Sequence, residues 1–431
     1  MYNVVVFLMQ VSIAIASLFN KKMRKMWRGQ RKAISYLKAN VEDGARYVWF
    51  HAASLGEFEQ GRPIMEQLRR EHPEYKILLT FFSPSGYEVR KNYEGADLIC
   101  YLPVDTIVNA QRFLRAVRPE MAFFIKYEFW YNYLHILKHR QVPLYSVSSI
   151  FRPEQIFFRW YGRQYSRVLK CFTRFFVQND ISRELLASIG ITDVDVTGDT
   201  RFDRVLQIKE AAKQLPVVSN FCEYNIADNP DDDLVYACAG FTGPAGVFVA
   251  GSSWPPDEDI FIRYFLEHKK FGYGKWKMII APHVIDEEHL SQIEQKLQGC
   301  QIVRYTKAKT DSSIQQADVL IIDCFGLLSS IYRYGTVAYV GGGFGVGIHN
   351  LPEAAVWGIP VFFGPNNARF QEAQELKGNS GGIEISSYED FASQMDELIA
   401  HPEELRQRGE VAGAYVNSRA GATAKILNSV F

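Results

Sequence analysis

From Tyr47 onward, short and continuously apolar β-rich runs alternate with helix-length amphipathic stretches. One series of runs covers 47–52, 76–82, 98–102, 121–125, 143–148, 173–177 and 194–197. A second covers 247–251, 276–281, 301–304, 319–322, 337–341, 359–363 and 382–385. Helix-start signals stand between them, Ser83-Pro84-Ser85 and Asn179-Asp180 among others. Repeated strand–helix alternation predicts parallel sheets covered by helices on both faces. Two series of similar length predict an α/β protein of two Rossmann-like domains, facing each other across a central cleft. Between them, 222–245 has little periodicity: it is polar at 229–233 and carries Gly240 and Gly243, so it reads as a loop-like insertion. The expected boundaries are 33–215 for the first domain, 216–246 for the linker and 247–400 for the second domain. Helices over 401–431 are expected to pack back on the first domain.

The first 32 residues depart from this pattern. Val4 to Phe19 is almost wholly apolar, and Lys21, Lys22, Arg24, Lys25, Arg28, Arg31 and Lys32 follow without an intervening acid. A cleaved signal peptide places its positive charge before the apolar run, so this segment reads as retained. Sixteen apolar-rich residues are short of the ~20 that usually span a bilayer. On a helix Asn3, Gln10 and Ser17 share one line, which leaves the rest apolar. Such a helix either spans with distortion or lies in the interface against a protein neighbour. The basic block is expected to stay cytoplasmic and to attract anionic headgroups. The other reading is a buried first helix of the domain.

Composition adds exclusions. Formal net charge is zero, so no global field draws the chain to nucleic acid. The six cysteines, at 100, 171, 222, 238, 300 and 324, contain no CxxC pair and fit a reduced compartment rather than a disulfide framework or zinc site. His135 and His139 share a helical spacing but have no third ligand in the sequence, so no metal site is expected there.

Four motifs sit where apolar strands end. In His51-Ala52-Ala53-Ser54-Leu55-Gly56-Glu57, the strand runs into a helix start and presents Glu57. A carboxylate at a cleft-facing strand end suits general-base work, and a helix dipole partner is the alternative. Tyr127-Glu128-Phe129-Trp130 sets an acid between aromatic residues, either as a site carboxylate or as a surface acid at a helix start. In Thr197-Gly198-Asp199-Thr200-Arg201-Phe202-Asp203, Arg201 either holds a developing negative charge or pairs with Asp199 or Asp203. The stretch from Val340 to Glu353 carries Gly341, Gly342, Gly343, Gly345 and Gly347. It fails GxGxxG and lacks the Lys-Ser/Thr pair of a P-loop, so it reads as a nucleotide-approach turn or as close packing of helix on sheet. Glu353 is placed to accept ribose hydroxyls. Gly251-Ser252-Ser253, Ala281-Pro282-His283 and Asp323-Cys324-Phe325-Gly326 add small hydrogen-bonding residues at neighbouring strand ends, and their convergence points to a nucleotide site.

In this order, HAASLGE, Thr80 with Ser83-Pro84-Ser85-Gly86, YLPVD at 101–105, YEFWYN at 127–132, TGDTRFD, GSS, APH, DCFG and the HNLPE block resemble the bacterial lipid A Kdo (3-deoxy-octulosonate) transferases, GT-B type glycosyltransferases. The likeness runs from about His51 to Pro365, with a membrane-associated N-terminus besides. It implies inverting, metal-independent transfer of Kdo from CMP-Kdo to a lipid A precursor on the cytoplasmic face of a bacterial inner membrane, without a cofactor. It also implies Glu57 as the base, and Glu128 and Arg201 as transition-state stabilisers. A CMP site is implied at Pro282, His283, Phe325, Gly326, Leu327, Asn350, Leu351, Pro352 and Glu353, with Gly251, Ser252, Ser253, Gly342 and Gly343 nearby. The chain departs from the family in four places. The family usually has Arg at His283, Lys at Arg201, Glu at Leu327, and Asn-Pro-Leu-Glu where Asn350-Leu351-Pro352-Glu353 stands. Another GT-B nucleotide-sugar transferase, a sugar-nucleotide epimerase of the same architecture and an inactive membrane-bound scaffold are the rival readings.

Overall fold

Each of the fourteen apolar runs forms a strand of a parallel sheet, since strands covered on both faces need apolar side chains at successive positions. A computed structural model describes residues 2–162, 164–212, 214–223, 246–271, 276–308, 312–345 and 347–431. The insertion expected at 222–245 lies outside the described residues, apart from Cys222 and Glu223. Two compact units result. The N-terminal unit runs to Arg204 and takes in Arg419–Phe431, and the C-terminal unit is Val205–Ser418.

The N-terminal unit holds β1 (Arg46–Ala52), β2 (Tyr75–Phe81), β3 (Leu98–Tyr101), β4 (Met121–Ile125), β5 (Leu144–Ser149), β6 (Arg174–Val177) and β7 (Val194–Val196), in the order β3-β2-β1-β4-β5-β6-β7. The pleat sorts β1 between two cores. Val48 and Phe50 join Phe58, Leu79 and Phe123, while Trp49 joins Leu78, Phe113, Phe124 and Tyr133 on the other face. The chain steps outward from β1 to β3, then returns to lay β4 on the free side of β1, with His51 opposite Phe124. That reversal opens a crevice at the carboxyl ends of β1 and β4.

The C-terminal unit repeats the plan with β8 (Val247–Ser253), β9 (Lys277–Pro282), β10 (Ile302–Arg304), β11 (Val319–Ile321), β12 (Val337–Val340), β13 (Val361–Phe363) and β14 (Gly382–Glu384). Their order is β10-β11-β9-β8-β12-β13-β14, which puts the reversal between β8 and β12. The last helix, Ala422–Val430, belongs to the N-terminal unit, where Ile426 and Leu427 enter the core with Val48 and Phe50. Asp203 holds its start, accepting from the amides of Gly421 at 2.5 Å and Thr423 at 2.7 Å.

Helix α1 (Tyr2–Phe19) is followed directly by α2 (Lys21–Asn40), and it lies along the N-terminal unit rather than projecting from it. Val6, Ile13 and Ser17 are buried, and the Asn132 side-chain amide donates to Asn3 Oδ1 at 2.9 Å. The polar line read from the sequence is thus part of a 3-6-10-13-17 stripe that faces the domain. Both ends are tied. The Tyr2 hydroxyl donates to Asp105 Oδ2 at 2.6 Å, and Arg24 donates to the last carbonyls of α1, Ser17 at 2.9 Å and Leu18 at 2.5 Å. Val4, Val5, Phe7, Leu8, Val11, Ile15, Leu18 and Phe19 stay exposed on the outer face. Among the described residues α1 alone is long and apolar enough to cross a membrane, by length and composition.

Asp105 also accepts from the amides of Asn132 at 2.9 Å and Tyr133 at 3.0 Å. Asp105→Ala is expected to cost about 3 kcal/mol, since it leaves these buried amides and the Tyr2 hydroxyl without an acceptor. Tyr2→Phe is expected to cost about 1 kcal/mol. Denaturant midpoints, with limited proteolysis at the α1–α2 junction, check the ranking; equal costs would show that Asp105 does not organise this corner.

Candidate active site

In the N-terminal unit the candidate groups gather at the β1/β4 crevice. Helix α3 (Leu55–Glu71) follows β1 after two intervening residues, Ala53 and Ser54, and Glu57 occupies its third position. There Glu57 Oε2 accepts from the Ser54 amide at 3.0 Å, so its structural reading, a partner for the helix start, is realised. That contact does not make the carboxylate ordinary. Burial raises the Glu57 carboxyl above the usual glutamate range and the charge of Glu128 raises it further, against opposing pulls from His51 and the Ser54 and Ala53 amides.

Glu128 follows β4 and is largely buried, and it is supported on two sides. Trp130 Nε1 donates to its Oε2 at 2.7 Å, and His51 Nε2 lies 3.2 Å from the same oxygen. His51 is fully buried, with Nδ1 at 2.9 Å from Thr80 Oγ1 and 3.2 Å from the Thr80 carbonyl. The Thr80 hydroxyl can donate to Nδ1, and Nε2 is the nitrogen turned to Glu128, where an Nε2–H donates to the carboxylate. The Trp49 indole donates to Thr80 Oγ1 at 2.8 Å and fixes that hydroxyl in turn. The sequence reading passed over His51 and Thr80 as functional groups, although both stand inside quoted motifs. Their pairing across β1 and β2 is the signal that registers them.

Arg201 opens α8 (Arg201–Glu210) and pairs with Asp199, Nε to Oδ2 at 2.9 Å. Asp199 is buried and also accepts from Gln60 at 2.9 Å. Burial pushes its carboxyl up, but Arg201, Lys126 and these hydrogen bonds outweigh burial and hold it below the usual aspartate range. Asp203, the other possible partner, is taken by the last helix. Lys126, at φ 59° just after β4, is a second cation in this neighbourhood that the motif reading did not single out.

In the C-terminal unit the glycine-rich turn is first a packing device. A Cβ at Gly341 would lie 2.4 Å from the Ser252 carbonyl, and one at Gly343 would lie 2.6 Å from Gly364 Cα. The Gly342 amide is already given to Asp257 Oδ2 at 2.9 Å, and the Gly345 and Gly347 amides to the Gly342 carbonyl. Gly251 lets β8 pass Tyr332, Ser252 sits at φ 53°, and buried Ser253 donates to Glu258 at 3.0 Å. Pro282 ends β9 opposite Ser253. Beyond it His283 stacks between Trp254, centroids 4.8 Å apart, and His349 at 4.4 Å. Burial lowers the His283 imidazole, and burial with the nearby His283 lowers His349 to about 4. Near neutrality both rings are uncharged.

The remaining predicted positions divide. Asn350 donates to Glu353 Oε1 at 2.8 Å, and Ser329 donates to its Oε2 at 3.0 Å, so Glu353 is held ready at the start of the short helix Leu351–Ala355. Leu351 and Pro352 are buried supports of that turn. Phe325 is exposed, Gly326 adopts φ 89°, and Leu327 stands before the helix Leu328–Ile331. No cluster of three metal-ligating side chains occurs among the described residues; His135 instead stacks on Tyr131, with its Nδ1 2.8 Å from the Tyr131 carbonyl.

Two doubly wound parallel sheets, each with candidate groups at its topological reversal, define an α/β protein of the GT-B type. UDP-GlcNAc 2-epimerase from Neisseria meningitidis, bound to UDP-GlcNAc, shares that fold: TM-score 0.59 and 14% identity over 89% of this chain and 99% of that one. Residues 25–204 match the family described as 3-Deoxy-D-manno-octulosonic-acid transferase (kdotransferase). The 3-deoxy-D-manno-octulosonic acid transferase of Aquifex aeolicus is 26% identical over 386 residues, 88% of this chain and 94% of that protein. The enzyme of that name from Rickettsia felis is 23% identical over 357 residues, covering 82% and 71%. Over these spans the chain is similar to the 3-deoxy-D-manno-octulosonic acid transferases.

A direct check of the carboxylate pair is carboxyl 13C NMR on glutamate-labelled protein. Glu57 is expected to titrate above the usual glutamate range, and Glu128→Gln is expected to move it down without restoring the ordinary value, because burial is the larger cause. An unmoved Glu57 titration in Glu128→Gln would show that the two carboxylates do not sense each other.

Proposed function

We propose that this protein is an inverting, metal-independent glycosyltransferase that moves Kdo from CMP-Kdo to the lipid A precursor, lipid IVA, in lipopolysaccharide biosynthesis. The observation that carries the reading is Glu57, a carboxylate raised by burial and by Glu128, at the carboxyl end of the strand that borders the reversal. A base must be ionised yet basic enough to take a proton, and a raised carboxylate satisfies both near neutral pH. Similarity to the Kdo transferases supports this choice of donor and acceptor.

In this reaction Glu57 accepts the proton of the acceptor hydroxyl as that oxygen bonds to the anomeric carbon of Kdo. The anomeric carbon–oxygen bond to CMP breaks on the opposite side, and CMP leaves as an anion. Glu128, fixed by Trp130 and His51, and Arg201, aimed by Asp199, stabilise the charge that develops. Pro282, His283, Phe325 to Leu327 and Asn350 to Glu353 bind CMP, with Glu353 accepting from the ribose. A neutral His283 gives the phosphate a hydrogen bond where the family's Arg gives a charge. The apolar outer face of α1 and the basic start of α2 hold the protein on the cytoplasmic side of a bacterial inner membrane.

The test is to incubate the purified protein with CMP-Kdo and tetra-acylated lipid A precursor and to weigh the product. A mass gain of one or more Kdo units is expected, and it should survive EDTA. Glu57→Gln should keep CMP binding and lose about 100- to 10,000-fold in turnover. Activity should fall as pH drops through the raised Glu57 titration, since only the ionised form takes the proton. An unmodified acceptor, turnover with a UDP-sugar instead, or a Glu57→Gln variant within a few-fold of the parent would each overturn the assignment.

A further inference from the structure

The N-terminal unit contains a concavity lined by none of the residues assigned to the proposed transfer. Its volume is about 580 Å3, and it lies among α1, α2, the loop after β3 and α5 (Ile107–Val117). Gln30 of α2 lines it and is only 5% exposed, yet neither its side-chain oxygen nor its nitrogen has a hydrogen-bond partner. A buried primary amide with no partner is costly, and such groups in native proteins generally meet a ligand or solvent that supplies one. Arg31 and Lys38 of α2 and Arg112 of α5 line the same space, and no carboxylate pairs with any of them among the described residues. The basic segment is not uniformly available in this way: Lys25, by contrast, is paired with Glu88 at 3.1 Å.

The rim identifies the kind of molecule. Gln10 of α1 lines the cavity, and on that helix Phe7, one turn back, and Val11, the next residue, are exposed. Cations inside and an apolar helix face beside them match a molecule with an anionic head and hydrocarbon tails. The amide adds a constraint. Its NH2 donates to a phosphate oxygen, whereas its oxygen needs a donor, which a phosphate diester lacks and a neighbouring hydroxyl supplies.

We propose that this cavity is a binding site for the headgroup of an anionic glycerophospholipid of the phosphatidylglycerol kind, a phosphate diester with a neighbouring hydroxyl, held by Gln30, Arg31, Lys38 and Arg112 with its tails along α1. None of the lining residues is a candidate catalytic or CMP-binding residue, and occupancy is measured as binding, so its failure is distinct from failure of the transfer reaction. The cavity size is ordinary for one small ligand or headgroup.

The test uses the full chain in nonionic detergent, titrated with short-chain phosphatidylglycerol, short-chain phosphatidylcholine and inorganic phosphate. Phosphatidylglycerol is expected to bind best and to weaken as salt is raised. Each cation near an anionic surface contributes about fivefold, so the double variant Arg31→Gln/Arg112→Gln should lose at least about tenfold. Gln30→Leu should lower phosphatidylglycerol binding while leaving its salt dependence. If Gln30→Leu does not fold by thermal melting, the double variant decides, since both arginines are exposed. Phosphatidylglycerol binding within about twofold of the parent in the double variant overturns the proposal. So does inorganic phosphate binding as tightly as phosphatidylglycerol, which marks a site for soluble anions, or phosphatidylcholine doing so, which marks an apolar groove alone.

Discussion

One buried carboxylate organises the corner of the N-terminal unit on which the candidate chemistry depends. Helix α6 (Tyr131–His139) begins after Trp130, whose side chain supplies no cap, so its early amides need an acceptor from elsewhere. Asp105, from the loop after β3, takes the amides of Asn132 and Tyr133 and also receives the Tyr2 hydroxyl. Burial raises its carboxyl to about 6, against these three hydrogen bonds. The YLPVD and YEFWYN motifs are thereby two halves of one structural device: the first caps the helix that the second begins. Because Glu128 lies just before that helix, capping it also fixes where Glu128 stands. The same carboxylate fastens α1, so the exposed apolar helix and the candidate catalytic segment share an anchor.

The second layer of constraint is polar support around Glu128. A carboxylate buried among aromatic rings is costly unless its oxygens are met. Trp130 and His51 meet one oxygen, Thr80 orients His51, and Trp49 orients Thr80. Four strand-borne or strand-adjacent residues thus set the position of one acid. Glu57, by contrast, is held by the backbone amides of Ser54 and Ala53 before its own helix, and its raised titration comes from the surroundings. A rigidly supported acid beside a less constrained one is an arrangement in which the second can exchange a proton while the first keeps its place.

The strand series and helix starts were legible because their causes are local. Continuous apolar runs mark strands buried on both faces, and Ser83 and Asn179 accept from Ser85 and Ser182 amides at the helix starts read for them. The positions of Glu57 and Glu128 at strand ends followed from the same pattern. What the sequence did not disclose is pairing between distant segments. Nothing local tells that Asp105 caps a helix 26 residues on, that His51 faces Thr80, or which way the polar line of α1 turns. That line lies among apolar residues, and only the presence of Asn132 opposite Asn3 makes the domain its partner. Arg201 left two partners open by spacing; Asp203 is drawn away by the last helix, a partner more than two hundred residues distant.

The glycine-rich stretch carries the sharpest lesson about reading motifs for phosphate. Its glycines are required, but by the Ser252 carbonyl and Gly364, and Asp257 occupies the Gly342 amide. Burial raises the Asp257 carboxyl, yet the Gly342 amide and Tyr339 hydroxyl both donate to it, so an incoming phosphate would compete with an acceptor already in place. The nine positions carried over for nucleotide binding include no side chain charged positively near neutrality, since burial lowers His283. Shape, stacking among Trp254, His283 and His349, and the oriented Glu353 are what that unit offers a nucleotide. Among the candidate residues the positive charge is that of Arg201, in the N-terminal unit. That guanidinium is aimed by a carboxylate that is itself buried and held in its ionised form, so its direction is set before any substrate arrives.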